Sequence, residues 1–309
     1  MSLIFYTWGT GAAYGRELGL SFTRRMRNQT ANSIIGFNHK KIDFHFLVDA
    51  GSPCVESIIQ KNILKVPDAL FITHSHNDHI SDLDKLVHSR IRGLDIQSIP
   101  LKPLPIICTE KCLNHPEYGL KEKFKDYNDE IDWKPITSFD EWHSLNKSNG
   151  NIIPSNQIKS HEDFYKMEFK ALPVNHSPDA PGACLYIFHE KTTHKKLIIS
   201  GDFHSLNDNI INNKDFKDPS LIILETNNIK AWEEDHTNWE NNKKLIKNLK
   251  TDKNKTLVLI SHTSGYEDYK QGYYDRIPID KDWVEEIENF NAPYNITVEL
   301  AKDGKRYKI

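Results

Sequence analysis

Apolar residues in this chain gather mainly in short continuous runs, and only a few segments carry the spacing of a helical stripe. The opening run Leu3 to Trp8 ends in Gly9-Thr10-Gly11, which predicts a strand entering a tight turn. No Gly-Lys-Ser/Thr follows, so the glycines are not a phosphate-cradling P-loop. Ser33 to Phe37 and Phe44 to Val48, parted by a polar stretch, predict a hairpin. ALFIT (69–73) is a short apolar run of the kind buried on both faces, and FKALPV (169–174), CLYIFH (184–189), KLIIS (196–200), LIILET (221–226) and TLVLIS (256–261) are further strand-like runs. Helical spacing appears at Ile80, Leu83, Leu86, Val87 and Ile91, and helices are also expected over 53–62, 238–249 and 281–290. The tail 295–309 reads as two strands joined by the Asp303-Gly304 turn. Residues from about 93 to 170 give the least regular pattern, with a Pro-rich stretch, a charged run and an Asn/Ser-rich stretch. They are expected to form an inserted subdomain or lid within one domain spanning 1–309, near the site mouth or at a subunit interface.

Composition narrows the class. The 309 residues are 38% hydrophobic and 27% charged, enough apolar content for a sizeable core. Forty Lys and Arg against 43 Asp and Glu give a formal charge of -3, which argues against a broad basic footprint for long nucleic acid. No apolar run approaches the roughly 18 residues of a membrane span, so no membrane partner and a cytoplasmic location are expected. Four scattered cysteines do not make a disulfide framework. Cys108, Cys112 and His115 have loose spacing and no evident fourth ligand, and they read as ordinary side chains rather than a zinc site.

The chemistry concentrates in Thr73-His74-Ser75-His76-Asn77-Asp78-His79, between a buried strand and a helix start. With 15 histidines in the chain, three imidazoles and a carboxylate at these positions would arise by chance in roughly one such protein in several hundred. Residues i and i+2 of an extended segment point the same way, so His74 and His76 can grip one ion, while the turn into the helix carries Asp78 and His79 toward a second. Four residues cannot complete two sites. His176, Asp202 and His262 each lie just beyond an apolar strand, where strand ends of an α/β sheet converge.

This order, HSHNDH, then His176, then SGD at Asp202, then SHTSGY at His262, resembles the metallo-β-lactamase superfamily. The resemblance implies an αββα sandwich of two mixed β-sheets with outer helices. It implies that His74, His76 and His176 hold one divalent ion, Asp78, His79 and His262 a second, and that Asp202 bridges them. Asp49 of LVDAG and Thr73 would be the outer hydrogen-bond partners of the motif loop. Zinc is the expected ion, with Mn2+ or Fe2+ as alternatives. Two divalent ions, less two ligand carboxylates and a bridging hydroxide, leave a positive centre suited to an anionic substrate.

Within the superfamily the chain resembles the subgroup of tRNase Z and the small cyclic-phosphate phosphodiesterases. The matching stretches are GTGAAYG, Arg27-Asn28-Gln29-Thr30, LIILETNN, Asp235-His236-Thr237, ISHTSGY and LAKDGKRYKI. The match implies a general acid, His236, oriented by Glu225, which with Asp78 are the expected catalytic residues. Arg24, Arg25 and Arg27 are candidates for holding phosphate. Two departures matter: SGDFH stands where the subgroup has SGDT, and only 25 residues separate His176 from Asp202, leaving no room for the tRNA-gripping arm of the bacterial enzymes. The expected substrate is therefore a small cyclic or diester phosphate, cleaved through a metal-bridging hydroxide. The alternatives are a lactonase or other carboxyl-ester hydrolase, a tRNA 3′-processing endonuclease, and a binding module without turnover. A homodimer is left open.

Overall fold

In the computed structural model, residues 2–12, 27–61, 66–96, 102–127, 129–251 and 255–309 are described. The apolar runs become strands. β1 (Ser2–Gly9), β2 (Ala31–Asn38), β3 (Lys41–Val48), β4 (Ala69–Phe71), β5 (Leu104–Thr109) and β6 (Ile131–Ile136) belong to one sheet. β7 (His143–Asn146), β8 (Ile152–Pro154), β9 (Phe164–Pro173), β10 (Cys184–Glu190), β11 (Lys195–Ile199), β12 (Leu221–Glu225), β13 (Thr256–Ser261) and β14 (Ile296–Leu300) belong to the other. β15 (Lys305–Lys308) returns to the first. The orders are β15-β1-β2-β3-β4-β5-β6 and β14-β13-β12-β11-β10-β9-β7-β8. Both sheets are mixed: β3 to β6 run parallel in the first and β11 to β14 in the second, with antiparallel pairs beyond.

Three apolar layers follow from strands buried on both faces. Between the sheets, Phe71 packs against Phe46, Phe169, Tyr186 and Phe188 at centroid distances of 4.9–5.4 Å, in tilted and edge-on geometry that suits ring quadrupoles. Outside the first sheet lie the helices Cys54–Gln60 and Leu83–Ile96, and outside the second Trp239–Asn248 and Asp280–Glu288. The result is the αββα sandwich implied by the resemblance. Residues 104–169 supply edge strands to both sheets, with the short helices Glu110–Asn114 and Leu120–Lys123 between β5 and β6.

The tail differs from a simple two-stranded unit. Its strands and turn are present, but β14 pairs parallel with β13 while β15 pairs antiparallel with β1, in opposite sheets. Polar contacts fix the crossing. The Asp303 carboxylate accepts from Thr10 Oγ1 (2.8 Å) and Asn28 N (2.7 Å), Thr7 Oγ1 donates to Lys302 O (2.6 Å), and Gly304 turns at φ 67°.

Candidate metal centre

The motif loop begins where β4 ends, and its shape depends on Asp49. That residue follows β3 with φ 58°, is fully buried, and accepts from Thr73 N and Thr73 Oγ1 at 2.9 Å. His79 Nδ1 lies 2.9 Å from Asp49 Oδ2, the oxygen that Thr73 Oγ1 also reaches. Thr73 Oγ1 is in turn 3.1 Å from His74 Nδ1. With their Nδ1 atoms so occupied, His74 and His79 turn Nε2 inward. Opposite them Gly201 (φ 58°) presses its backbone onto Thr73, where a Cβ would stand 2.7 Å from the Thr73 Cβ, so the SGD turn needs glycine to bring Asp202 close.

His176 and Asp202 follow β9 and β11, and His262, also at positive φ (56°), follows β13. His74, His76, His176 and Asp202 form one group of ligand-type atoms and Asp78, His79, Asp202 and His262 a second, each mutually within 4.8 Å. Asp202 belongs to both. Its oxygens lie 3.7 Å from His74 Nε2, 3.3 Å from His79 Nε2, 4.0 Å from His176 Nε2 and 3.1 Å from His262 Nε2. His262 Nε2 is also 3.1 Å from Asp78.

These residues fit divalent cations. His74 Nε2, His79 Nε2 and Asp202 Oδ2 are buried without a hydrogen-bond partner, a cost of about 1–3 kcal/mol each that a bound cation would remove. Burial, reinforced by His79, holds the His74 imidazole well below its ordinary range, and burial pushes His176 down to about 4. Neutral rings are the ligating form. Burial would depress His79 too, but Asp202, Asp49 and Asp78 outweigh it and raise the ring. Against the opposing effect of burial, His262 and His79 hold Asp202 well below the carboxylate range, and His79 and His262 bring Asp78 to about 2.

Beside the two groups stands a third cluster, Asp202, Glu225, His236 and His262. Glu225, the last residue of β12, is buried and accepts from Phe203 N (2.9 Å), and its Oε1 lies 2.5 Å from His236 Nδ1. His236 Nδ1 is 3.8 Å from Asp202. Burial would lower the His236 ring, yet Glu225 and then Asp202 raise it to about 10; burial in turn lifts Glu225, partly offset by His236.

Other expected residues fall elsewhere. Arg27 is not brought to the cluster: its guanidinium donates to Thr10 Oγ1 (2.6 Å), Ala301 O (2.9 Å) and Asp280 (2.9 Å). Arg24 and Arg25 lie outside the described residues. Cys108 and Cys112 are buried free thiols, His115 Nδ1 accepts from Glu117 N and Tyr118 N, and no metal-type group among the described residues contains them.

Three contacts had no sequence signal. Asp179 lies 2.9 Å from His76 Nε2, the Asp235 carbonyl lies 2.7 Å from His176 Nδ1, and buried Asp268 accepts the backbone N–H groups of Ile229, Lys230 and Ala231 at 2.5–2.7 Å. The last two shape the loop 227–238 that carries His236.

A family model described as "Anti-Pycsar protein Apyc1" matches residues 16–276. No curated protein matches the chain. Among solved structures, the metallo-beta-lactamase fold protein YhfI from Bacillus subtilis superposes over 100% of both chains with a TM-score of 0.66 at 14% identity. Human tRNase Z, short form, superposes over 98% of both chains (0.59, 16% identity), and unliganded yeast PDE1 over 99% of both (0.61, 12% identity). These likenesses establish a shared fold.

Proposed function

The chain belongs to the anti-Pycsar protein Apyc1 family, and from that premise we propose that it is a dinuclear metal-dependent phosphodiesterase acting on a small cyclic or diester phosphate. His74, His76 and His176 would hold one ion, Asp78, His79 and His262 the other, with Asp202 shared. Zinc suits this nitrogen and carboxylate set, with Mn2+ or Fe2+ as alternatives. When bound, such ions supply Lewis-acid polarisation of a phosphoryl oxygen and activation of water. Asp49 and Thr73 orient His79 and His74, and the Asp235 carbonyl orients His176.

The observation that carries the reading is the His236–Glu225 pair at 2.5 Å beside Asp202. With Nδ1 given to Glu225, His236 keeps Nε2 for substrate. In diester hydrolysis, water oxygen bonds to phosphorus, the bond to one ester oxygen breaks, and the departing alkoxide needs a proton, which His236 Nε2 supplies. A small substrate is supported by the His176–Asp202 interval, where β10 and β11 form a hairpin closed by residues 191–194 without an arm. The segment 93–170 is read as the rim of the mouth, since Lys123 Nζ from its second short helix donates to Ser75 O (2.7 Å) in the motif loop. Among the described residues no helix is long and apolar enough to cross a membrane. A cytoplasmic location and a homodimer complete the proposal.

Two measurements test it. Bis(p-nitrophenyl) phosphate should be cleaved faster than p-nitrophenyl phosphate, and turnover of simple lactones without diesterase activity would reverse the reading. His236→Ala should keep its metal and slow diesters with alkoxide leaving groups by about 100- to 10,000-fold, but slow p-nitrophenolate release much less, because that anion departs without a proton. Loss of metal in this variant would make His236 a ligand instead.

A further inference from the structure

Trp232 is 59% exposed, yet the loop that carries it is held by a dense set of hydrogen bonds. The three amides before it, of Ile229, Lys230 and Ala231, are held by buried Asp268. The carbonyls of Lys230 and Ala231 accept from Asn238 Nδ2 at 3.2 and 3.1 Å, and Trp232's own carbonyl accepts from Gln271 Nε2 at 3.0 Å. Just beyond, Glu233 takes both amide side chains of Asn227 and Asn228 (2.6 and 2.8 Å). An aromatic ring facing solvent needs no such support for folding. The bracing fixes where the indole stands.

That position adjoins the reacting groups. His236 follows four residues later on the same loop, and the ring of His204, two residues after Asp202, stands perpendicular to the indole at 5.9 Å. His204 is itself anchored, its N–H donating to the carbonyl of Asn175, the neighbour of His176 (2.8 Å). His204, which follows Phe203 (the residue standing where the subgroup's SGDT has Thr), is thus the partner of the exposed tryptophan. We infer that Trp232, braced by His204, is a stacking platform for a planar ring carried by the substrate beside its phosphodiester. A pre-positioned aromatic face loses little freedom on binding, so stacking on it translates efficiently into affinity. This specificity role deepens the phosphodiesterase reading and rests on it.

The test uses two inhibitors of bis(p-nitrophenyl) phosphate hydrolysis by the metal-loaded enzyme: adenosine 5′-monophosphate, which carries a planar base, and ribose 5-phosphate, which does not. Trp232→Ala should raise the Ki of the nucleotide by about 5- to 150-fold, the worth of one stacked base, and leave that of ribose 5-phosphate within about twofold. Trp232→Phe should recover most of the difference. Equal nucleotide Ki values in wild type and Trp232→Ala would overturn the inference, as would a parallel rise for both inhibitors. A change of oligomeric state in Trp232→Ala with both Ki values intact would assign the ring to an interface between chains and overturn it too. The diesterase reading fails separately, in the wild type, if no diester is cleaved. Direct titration of adenosine 5′-monophosphate into wild type and Trp232→Ala then decides the platform by itself.

Discussion

Two of the loops that supply the clustered ligand-type residues each hang from one buried carboxylate, but they are held by different handles. In the loop 73–79, Asp49 engages Thr73 and His79 mainly through their side chains. In the loop 227–238, Asp268 engages three consecutive backbone amides and no side chain of that loop among its hydrogen bonds. The first arrangement sets the direction of individual imidazoles, which a metal pair demands. The second immobilises a stretch of chain whatever its side chains are, and leaves Trp232 and His236 to project from it.

The contrast can be broken at several points. The largest effect is expected where the two ion positions meet: Asp202→Ala should bring metal content below two equivalents per chain and cut hydrolysis by roughly 1000-fold, the scale of losing several kcal/mol of charge stabilisation. Elemental analysis finding two ions in a fully active variant would remove the bridging role. Asp49→Ala should weaken metal affinity by about 10- to 100-fold, with activity restored by excess zinc. A loss that no added metal repairs would mean that Asp49 holds the fold rather than the ligands.

Asp268→Asn comes next. It keeps the shape but replaces one accepting oxygen by an amide NH2 that faces one or two of the three backbone donors, at a cost of about 1–3 kcal/mol. Metal content should stay the same while kcat falls and the melting temperature drops; unchanged kcat would detach this brace from catalysis. The subtlest outcome is one of persistence. Under chelation, hydrogen exchange should quicken at the amides of the motif loop, whereas Ile229, Lys230 and Ala231 stay protected. Equal loss of protection in both loops would merge them into one metal-dependent unit.

The same contrast explains what could be read from the chain. Histidines are rare enough that HSHNDH, His176 and His262 stand out, and the buried runs before Asp202 and His262 mark the ends of parallel strands β11 and β13. Asp49 was visible because it follows β3 in LVDAG. Asp268 and the Asp235 carbonyl were not, since a brace built on backbone groups imposes no residue type on what it holds. The 104–169 region was opaque for another reason. Its strands β6 and β8 are edge strands and only partly buried, and β7, though mostly buried, is only four residues long (HSLN) and mostly polar, so the apolar pattern that betrays a central strand is weak there. The arginines show the limit of charge as a signal: Arg27 was counted toward phosphate, but its hydrogen bonds tie Thr10 to Ala301 and Asp280.

The crossing of the tail from one sheet to the other bears on how the chain is made. Phe5 in β1 faces Tyr307 in β15, and Thr7 donates to Lys302, 295 positions further along the chain. During synthesis β1 can pair with its near neighbour β2 at once, but its other flank stays open until β15, far along the chain, has been made. Such distant pairing is slow to form, and an uncovered strand edge invites wrong partners meanwhile. β15 therefore acts as a closing seam, and the first sheet is finished only once this strand has been made and has reached β1.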